Sequence, residues 1–137
     1  MPDWITLHII GLIVVAALFG GMLFFMAVFT PAMFRKLPNE TARAAIRAIF
    51  PVYYRVCGVA ALVAALPLVT AAYRGEVATL VLVAGGFVFA NAVLRPAIER
   101  ASENGNEARV RRFHRASVLL HLVQFAAVTV ILVRLAQ

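Results

Sequence analysis

The chain has 137 residues, of which 64% are hydrophobic and only 14% charged, and its mean hydropathy is +0.93. Small domains bury the smallest share of their surface, so this composition excludes an ordinary water-soluble protein. The net charge is +7, but most basic residues fall in two loops, which argues against a nucleic-acid partner.

Four apolar segments follow one another along the chain, at roughly residues 5–30, 56–73, 77–95 and 116–134. An α-helix rises about 1.5 Å per residue, so each segment approaches or exceeds the hydrocarbon thickness of a bilayer, about 30 Å. The pattern predicts an all-α fold: a polytopic membrane four-helix bundle that forms one domain over residues 1–137.

The loop after the first segment carries a short amphipathic pattern of its own. Asn39 begins a capping sequence, apolar residues alternate with Arg43 and Arg47, and Pro51 is expected to end the helix. We predict a short cytoplasmic amphipathic helix between helices 1 and 2. Its arginines, with Arg35 and Lys36, would face anionic lipid headgroups. An elbow whose arginines serve topology alone is the alternative.

The distribution of Lys and Arg predicts the orientation. Eleven of the 13 lie on the side of the loops after the first and third segments, and only Arg74 and Arg134 lie on the other side. By the positive-inside rule both termini lie outside the cytoplasm. In a bacterium the protein would reside in the inner membrane.

Small residues indicate close helix packing in a bundle, but they do not give its oligomeric state. A homo-oligomer is a separate expectation, which belongs to the transport hypothesis given below. The small residues recur at four-residue spacing in three segments, at Ala16, Ala17, Gly20 and Gly21, at Ala60, Ala61, Ala64 and Ala65, and at Ala84, Gly85, Gly86 and Ala90. Pro67 is expected to bend the second helix near its middle. No internal repeat is evident.

Several motifs resemble the transmembrane protein 205-like family, also called domain of unknown function 4149. They are Leu7-His8, Gly20-Gly21-Met22-Leu23-Phe24-Phe25, Pro31, Phe34-Arg35, Leu37-Pro38, Phe50-Pro51-Val52-Tyr53-Tyr54, Asn91 with Leu94 and Pro96, and Phe113-His114 with Ser117. His121 stands where the family pattern leads us to expect asparagine.

The resemblance implies a four-helix membrane bundle without a settled activity, with eukaryotic relatives linked to drug and platinum resistance. A more distant likeness, confined to Leu7-His8 and the glycine-rich first helix, is to copper-resistance D-type proteins and HemJ-type protoporphyrinogen oxidases. These relatives imply copper handling or haem. The third segment lacks the lysine that the oxidase-like pattern leads us to expect.

His8 is the candidate haem ligand. It lies about one turn into the first helix, whereas His121 lies near the other membrane face, so one haem iron cannot take both. His8 could bind haem b alone or pair with His8 of a second protomer. A hydrogen bond to a neighbouring carbonyl is the alternative.

A second constellation is expected toward the cytoplasmic side. Met22, Met26, Cys57 and His121 supply the soft ligands that suit Cu(I). Asn91, His114, Ser117 and Gln124 would form a polar cluster beside them. Packing by the methionines and hydrogen bonds between helices are the alternative.

Three functions follow as hypotheses. The first is binding or transport of a soft metal ion or small solute, the second a haem b redox protein, and the third a structural or assembly protein that contacts anionic lipid. No acidic residue lies within the apolar segments, and hydrolase and phosphotransferase motifs are missing. Whether the protein is an enzyme stays open.

Overall fold

The computed structural model describes residues 3–137, apart from the side chains of Trp4 and Ala71, and over this range the chain folds into helices joined by short turns. The helices are α1 (Asp3–Phe24), α2 (Thr30–Lys36), α3 (Asn39–Ala65), α4 (Arg74–Phe89), α5 (Arg95–Glu103) and α6 (Glu107–Leu135). π-helical turns Phe25–Phe29 and Ala90–Leu94 join α1 to α2 and α4 to α5. The 3-10 turns Leu66–Leu68 and Ala71–Tyr73 lie between α3 and α4.

Four helices are long and apolar enough to cross a membrane: Ile5–Lys36, Asn39–Leu68, Arg74–Glu103 and Glu107–Leu135. The first and third include a π-helical turn. They contain 29 to 32 residues each, and at about 1.5 Å per residue they are about 45 Å long. They extend well beyond most of the apolar segments predicted from the sequence, chiefly because their charged ends are also helical.

Neighbouring helices pack in a ring. α1 packs against α3, α3 against α4, α4 against α6, and α6 returns to α1. The core between them includes Val15, Met22, Leu80, Phe87 and Val128, each 0% exposed. The turns at 37–38 and 104–106 lie at one end, called here the basic end. The start of α1, the end of α6 and residues 69–73 lie at the other end, called here the terminal end.

The first and third long helices share a local feature that was not evident in the sequence. The Thr30 N–H donates to Phe25 O and the Arg95 N–H donates to Ala90 O, which closes a five-residue turn in each. A proline follows at once in both, Pro31 and Pro96. A proline ring crowds the carbonyl one turn earlier, and a wider turn accommodates it.

The predicted amphipathic helix between helices 1 and 2 is wrong as a separate element. α3 runs without interruption from Asn39 to Ala65 and contains Pro51. A proline removes one backbone donor, and the helix continues because Ile46 and Tyr54, on either side of Pro51, are buried in packing contacts. The short α2 precedes the turn, but it continues the first long helix through the π-helical turn and is not a separate element either.

The connection at the terminal end also differs from expectation. Pro67 lies in the 3-10 turn that ends the second long helix, so it does not bend the middle of that helix. Arg74, Gly75 and Glu76, which separate the second and third apolar segments in the sequence, form the first turn of α4. The chain reverses instead over residues 69–73, two of which lie outside any helix.

Small residues are used unevenly. Ala61, Ala64 and Ala84 are buried, and Gly58 packs near Phe87, so they bring α3 and α4 together. Gly20 and Gly21 on α1 face outward and have no neighbour within 4 Å that an added Cβ would meet. The close packing predicted for α1 at these glycines therefore does not occur within the protomer.

Candidate functional site

The larger of the two described cavities lies at the basic end, has a volume of about 720 Å³ and is called here the basic-end cavity. α2 packs on α3, and α5 packs on α6. Side chains from both of these helix pairs line the cavity that lies between the two pairs. The apolar lining residues are Phe25, Met26, Phe34, Ile46, Phe50, Ile98, Val110, Val118 and Leu122. The polar ones are Thr30, Arg43, Arg47, Tyr53, Tyr54, Arg95, Glu99, Ser102, His114, Ser117 and His121.

The α3 wall changes character along its length. Arg43, Arg47, Phe50 and Tyr54 follow one another at steps of three or four residues, so they share one helix face. The two arginines lie near the start of α3, which is the outer end of the cavity. The aromatic residues lie deeper, so the wall is charged outside and apolar inside.

The α6 wall faces α3 with polar groups at the same helical spacing, His114, Ser117 and His121. Tyr53 Oη lies 3.2 Å from His121 Nε2, and Tyr54 Oη lies 3.4 Å from Ser117 Oγ. These two hydrogen bonds join α3 to α6 across the inner part of the cavity. His114, one turn closer to the turn at 104–106, is exposed.

Arg95, at the start of α5, supplies a positioned cation. Its Nε donates to Asn91 Oδ1 at 3.2 Å, and its Nη1 pairs with Glu99 Oε1 at 2.8 Å. Both partners are one turn away on the same helix, so they hold the side chain in one direction. A guanidinium has five N–H donors, and these contacts leave others for a ligand.

Aromatic rings form the floor. Phe25 stacks on Tyr53 with ring centroids 4.0 Å apart, and Phe87, which is 0% exposed, lies edge-on to Tyr53. Below this layer the core is closed by packed side chains, among them Met22 and Cys57. The cavity therefore ends in rigid aromatic packing, with its opening toward the basic end.

The structure divides the residues predicted to hold a soft metal. Met26 and His121 line the cavity, whereas Met22 and Cys57 are buried in the core. Over the residues that the structure describes, no group of three or more His, Cys, Asp or Glu side chains is arranged to hold a metal ion.

The predicted polar cluster is also divided. His114 and Ser117 line the cavity, and Asn91 accepts from Arg95 at its edge. Gln124 lies apart from them, 4% exposed, and its Nε2 donates to Val83 O at 2.8 Å. Gln124 thus fastens α6 to α4.

His8 lies at the terminal end, remote in the fold from the basic-end cavity. Its Nδ1 is 2.9 Å from Tyr73 Oη, so its hydrogen-bond partner is a phenol where a carbonyl was the expected alternative. The side chain is partly buried. The Nε2 atom remains the nitrogen through which a haem iron would bind.

Of the basic residues predicted to face lipid, Arg43 and Arg47 line the cavity, whereas Arg35 and Lys36 are exposed in the last turn of α2. Sequence reasoning assigned no role to Arg95, Glu99 or Tyr53 beyond topology and family motif. The spacing of Arg43, Arg47, Phe50 and Tyr54 was a signal of one shared face. Nothing in the sequence indicated that α5 would face it.

Comparison with curated proteins and with solved structures finds no match. The profile of one family, described as a domain of unknown function (DUF4149), matches residues 13–107, more than half of the 137-residue chain. The match runs from residue 13, within α1, through α5, and it therefore covers most of the residues that line the cavity. The finer resemblances, to transmembrane protein 205-like, copper-resistance and HemJ-type proteins, stay predictions. The chain belongs to the DUF4149 family.

Proposed function

We propose that this protein is an integral membrane protein that binds a small solute in the basic-end cavity. The four helices would cross the bilayer, with the basic end in the cytoplasm and both termini outside. Binding is the first step of transport. Passage to the other side would require the packed layer around Met22, Leu80 and Phe87 to open.

The depth of the cavity in a bilayer supports a solute with both polar and apolar parts. The helices are about 45 Å long, whereas the hydrocarbon core is about 30 Å thick, so their ends project into the headgroup layer. Arg43 and Arg47 precede the charge-free part of α3, and His121 lies inside that of α6. The cavity would then extend from the headgroup layer into the edge of the hydrocarbon.

The single observation that carries the proposal is the cavity itself. Its volume of about 720 Å³ lies within the range of small-molecule sites, roughly 300–1,000 Å³. By surface area its lining is mostly apolar, because polar residues such as Tyr53 and Tyr54 also present carbon atoms to the cavity. The polar groups that converge on the cavity would fix the orientation of a ligand. Residues from all four long helices contribute.

The test is to purify the protein gently and identify small molecules that remain bound, by native mass spectrometry followed by chromatography. Ser117→Leu would fill the cavity, whereas the neighbouring Ala116→Leu points outward and does not line it. We expect the wild type and Ala116→Leu to retain a solute that Ser117→Leu loses. Equal retention by both variants, at equal thermal stability, would refute the proposal.

A soft metal ion is the second candidate, because Met26 and His121 share the cavity lining. Thioether and imidazole groups are ligands for Cu(I). The protein would then gain thermal stability with Cu(I) or platinum, and Met26→Ala would lose this gain. A haem b redox protein built on His8 and a structural or assembly protein that recruits anionic lipid remain the alternative predictions. The homo-oligomer remains a prediction beside the solute-binding function.

A further inference from the structure

We infer that the occupant of the basic-end cavity is an anionic amphiphile with a single chain, whose phosphate or carboxylate head lies among Arg43, Arg47 and Arg95. This inference rests on the proposed function and adds the chemical class of the solute.

Charge supports an anionic head. The cavity is lined by three guanidinium groups and one carboxylate, Glu99, which is already paired with Arg95. Arg43 and Arg47 lie one turn apart on the face of α3 that lines the cavity. Within the described part of the chain, neither of them forms an ion pair. Guanidinium groups bind phosphate and carboxylate through paired hydrogen bonds, so the arrangement matches such a head.

Arg95 adds geometry to this charge. Its contacts with Asn91 at 3.2 Å and Glu99 at 2.8 Å hold the guanidinium before a ligand arrives. Less side-chain entropy is then lost on binding. Arg43 and Arg47 approach from α3 and Arg95 from α5, so a head between them would be contacted from two sides.

The apolar lining continues onto the outer surface of the bundle. Phe34 on α2 and Val118 and Leu122 on α6 line the cavity, yet they are 42%, 45% and 47% exposed. This continuity gives a chain a path from the cavity into surrounding lipid. A volume of about 720 Å³ suits one drug-sized molecule, which favours a single chain over a bulky lipid.

The experiment measures binding to the full chain in an uncharged detergent, by native mass spectrometry and thermal unfolding. The probes are oleoyl lysophosphatidic acid, oleoyl lysophosphatidylcholine, monooleoylglycerol and glycerol 3-phosphate. They separate an anionic head with a chain from a zwitterionic head, a neutral head and a head alone. We expect lysophosphatidic acid to bind at least about tenfold more tightly than each of the others.

Arginine variants locate the site. Arg47→Gln is expected to weaken binding of lysophosphatidic acid by about tenfold, and Arg47→Lys by less, because one charge without the planar fork remains. Arg112→Gln is the matched control, because Arg112 is exposed on α6 and does not line the cavity. It should bind as the wild type does. Equal thermal stability without ligand shows that each variant is folded.

The results separate this inference from the proposed function. Equal binding of all three chain-bearing probes, with loss in Ser117→Leu, would overturn the anionic head and leave the function standing. If glycerol 3-phosphate, which has no acyl chain, bound as tightly as lysophosphatidic acid, the inference that the ligand carries an apolar chain would be overturned. If Arg47→Gln and Arg112→Gln weakened the binding of lysophosphatidic acid equally, the cavity would not be its binding site. A general attraction to the basic surface would then explain the binding. Lack of any bound probe, together with lack of a co-purified solute, would overturn both proposals.

Discussion

Gln124 shows how one buried amide fixes the distance between two helices. It donates to Val83 O on α4 at 2.8 Å, and its Nε2 would lie 2.5 Å from a Cβ added at Gly86. Glycine at 86 therefore permits the close approach that this hydrogen bond needs. Gly85 next to it is exposed, with nothing within 4 Å of an added Cβ.

Gly86→Ala should lower the free energy of unfolding by about 1–3 kcal/mol, because Gln124 must move and its buried amide loses its acceptor. Gly85→Ala should be neutral or raise stability by up to about 1 kcal/mol, since alanine favours helix. Thermal unfolding in detergent measures both. Similar losses in the two variants would contradict the role of Gln124.

Glu76, like Gln124, is a buried polar residue that joins two helices. It is 5% exposed, and its Oε1 accepts from Arg134 Nε at 2.7 Å, which ties the start of α4 to the end of α6. The pair Arg111–Glu107, at 3.5 Å, has both side chains exposed and lies within α6. The two pairs therefore differ in burial and in what they connect.

Arg134→Gln should cost about 1–3 kcal/mol of stability, because it leaves a buried carboxylate without its counter-charge. Much of the Arg134 side chain is exposed, and solvent screening keeps the loss below that of a fully buried pair. Arg111→Gln, the control, should change stability by less than about 0.5 kcal/mol. Unfolding curves of the two variants measure these losses of stability. If Arg111→Gln lost as much stability as Arg134→Gln, burial of Glu76 would not explain the effect.

At the scale of elements, the two π-helical turns set the direction of α2 and α5. Each is followed by a proline, Pro31 or Pro96, which cannot donate to the preceding turn. Phe25 and Met26, from the first turn, and Arg95, just after the second, all line the cavity. The turns therefore present residues to the site that a regular helix would direct elsewhere.

Backbone amides in and just after the two π-helical turns should exchange with solvent deuterium faster than amides of Ala60 to Ala65 in α3. Wider turns next to a proline have fewer regular hydrogen bonds to lose when they open. Hydrogen exchange followed by mass spectrometry measures this. Protection in the turns equal to that in α3 would show that they are as rigid as regular helix.

At the scale of the whole molecule, the distribution of basic residues predicts how the helices are oriented in a membrane. Ten of the 13 basic residues lie in the half of the molecule at the basic end, Arg55 lies near the middle of the second long helix, and Arg74 and Arg134 lie toward the terminal end. A bias of this kind orients helices in a membrane. Three of these residues, Arg43, Arg47 and Arg95, also line the cavity. The predicted orientation and the proposed charge of the ligand would thus both depend on these three arginines.

A phosphatase fused after Gln137 should be active outside the cytoplasm, and a fluorescent protein fused there should stay dark. A fusion in the turn at 104–106 should give the reverse, because the positive-inside rule predicts that the basic end faces the cytoplasm. Reporter activity in intact cells measures both. Cytoplasmic fluorescence from the C-terminal fusion would overturn the orientation.

Much of the helical framework could be predicted from residue type and order alone. Apolar segments of sufficient length indicated four helices, and Asn39 was correctly placed at a helix start. Pro51 misled the prediction, because a proline is read locally as a helix end. Whether it ends a helix depends on the packing of Ile46 and Tyr54, which is a tertiary property.

The sequence by itself determined the helical class, the number of long apolar helices and the basic side of the molecule, because these depend on composition and local order. Only the tertiary structure decided the site. Tyr53 and His121 are 68 positions apart, and Tyr54 and Ser117 are 63 apart, and they meet only when α3 and α6 face each other. Contacts between distant segments depend on how helix faces pack, and that information is not present in the periodicity of any one segment.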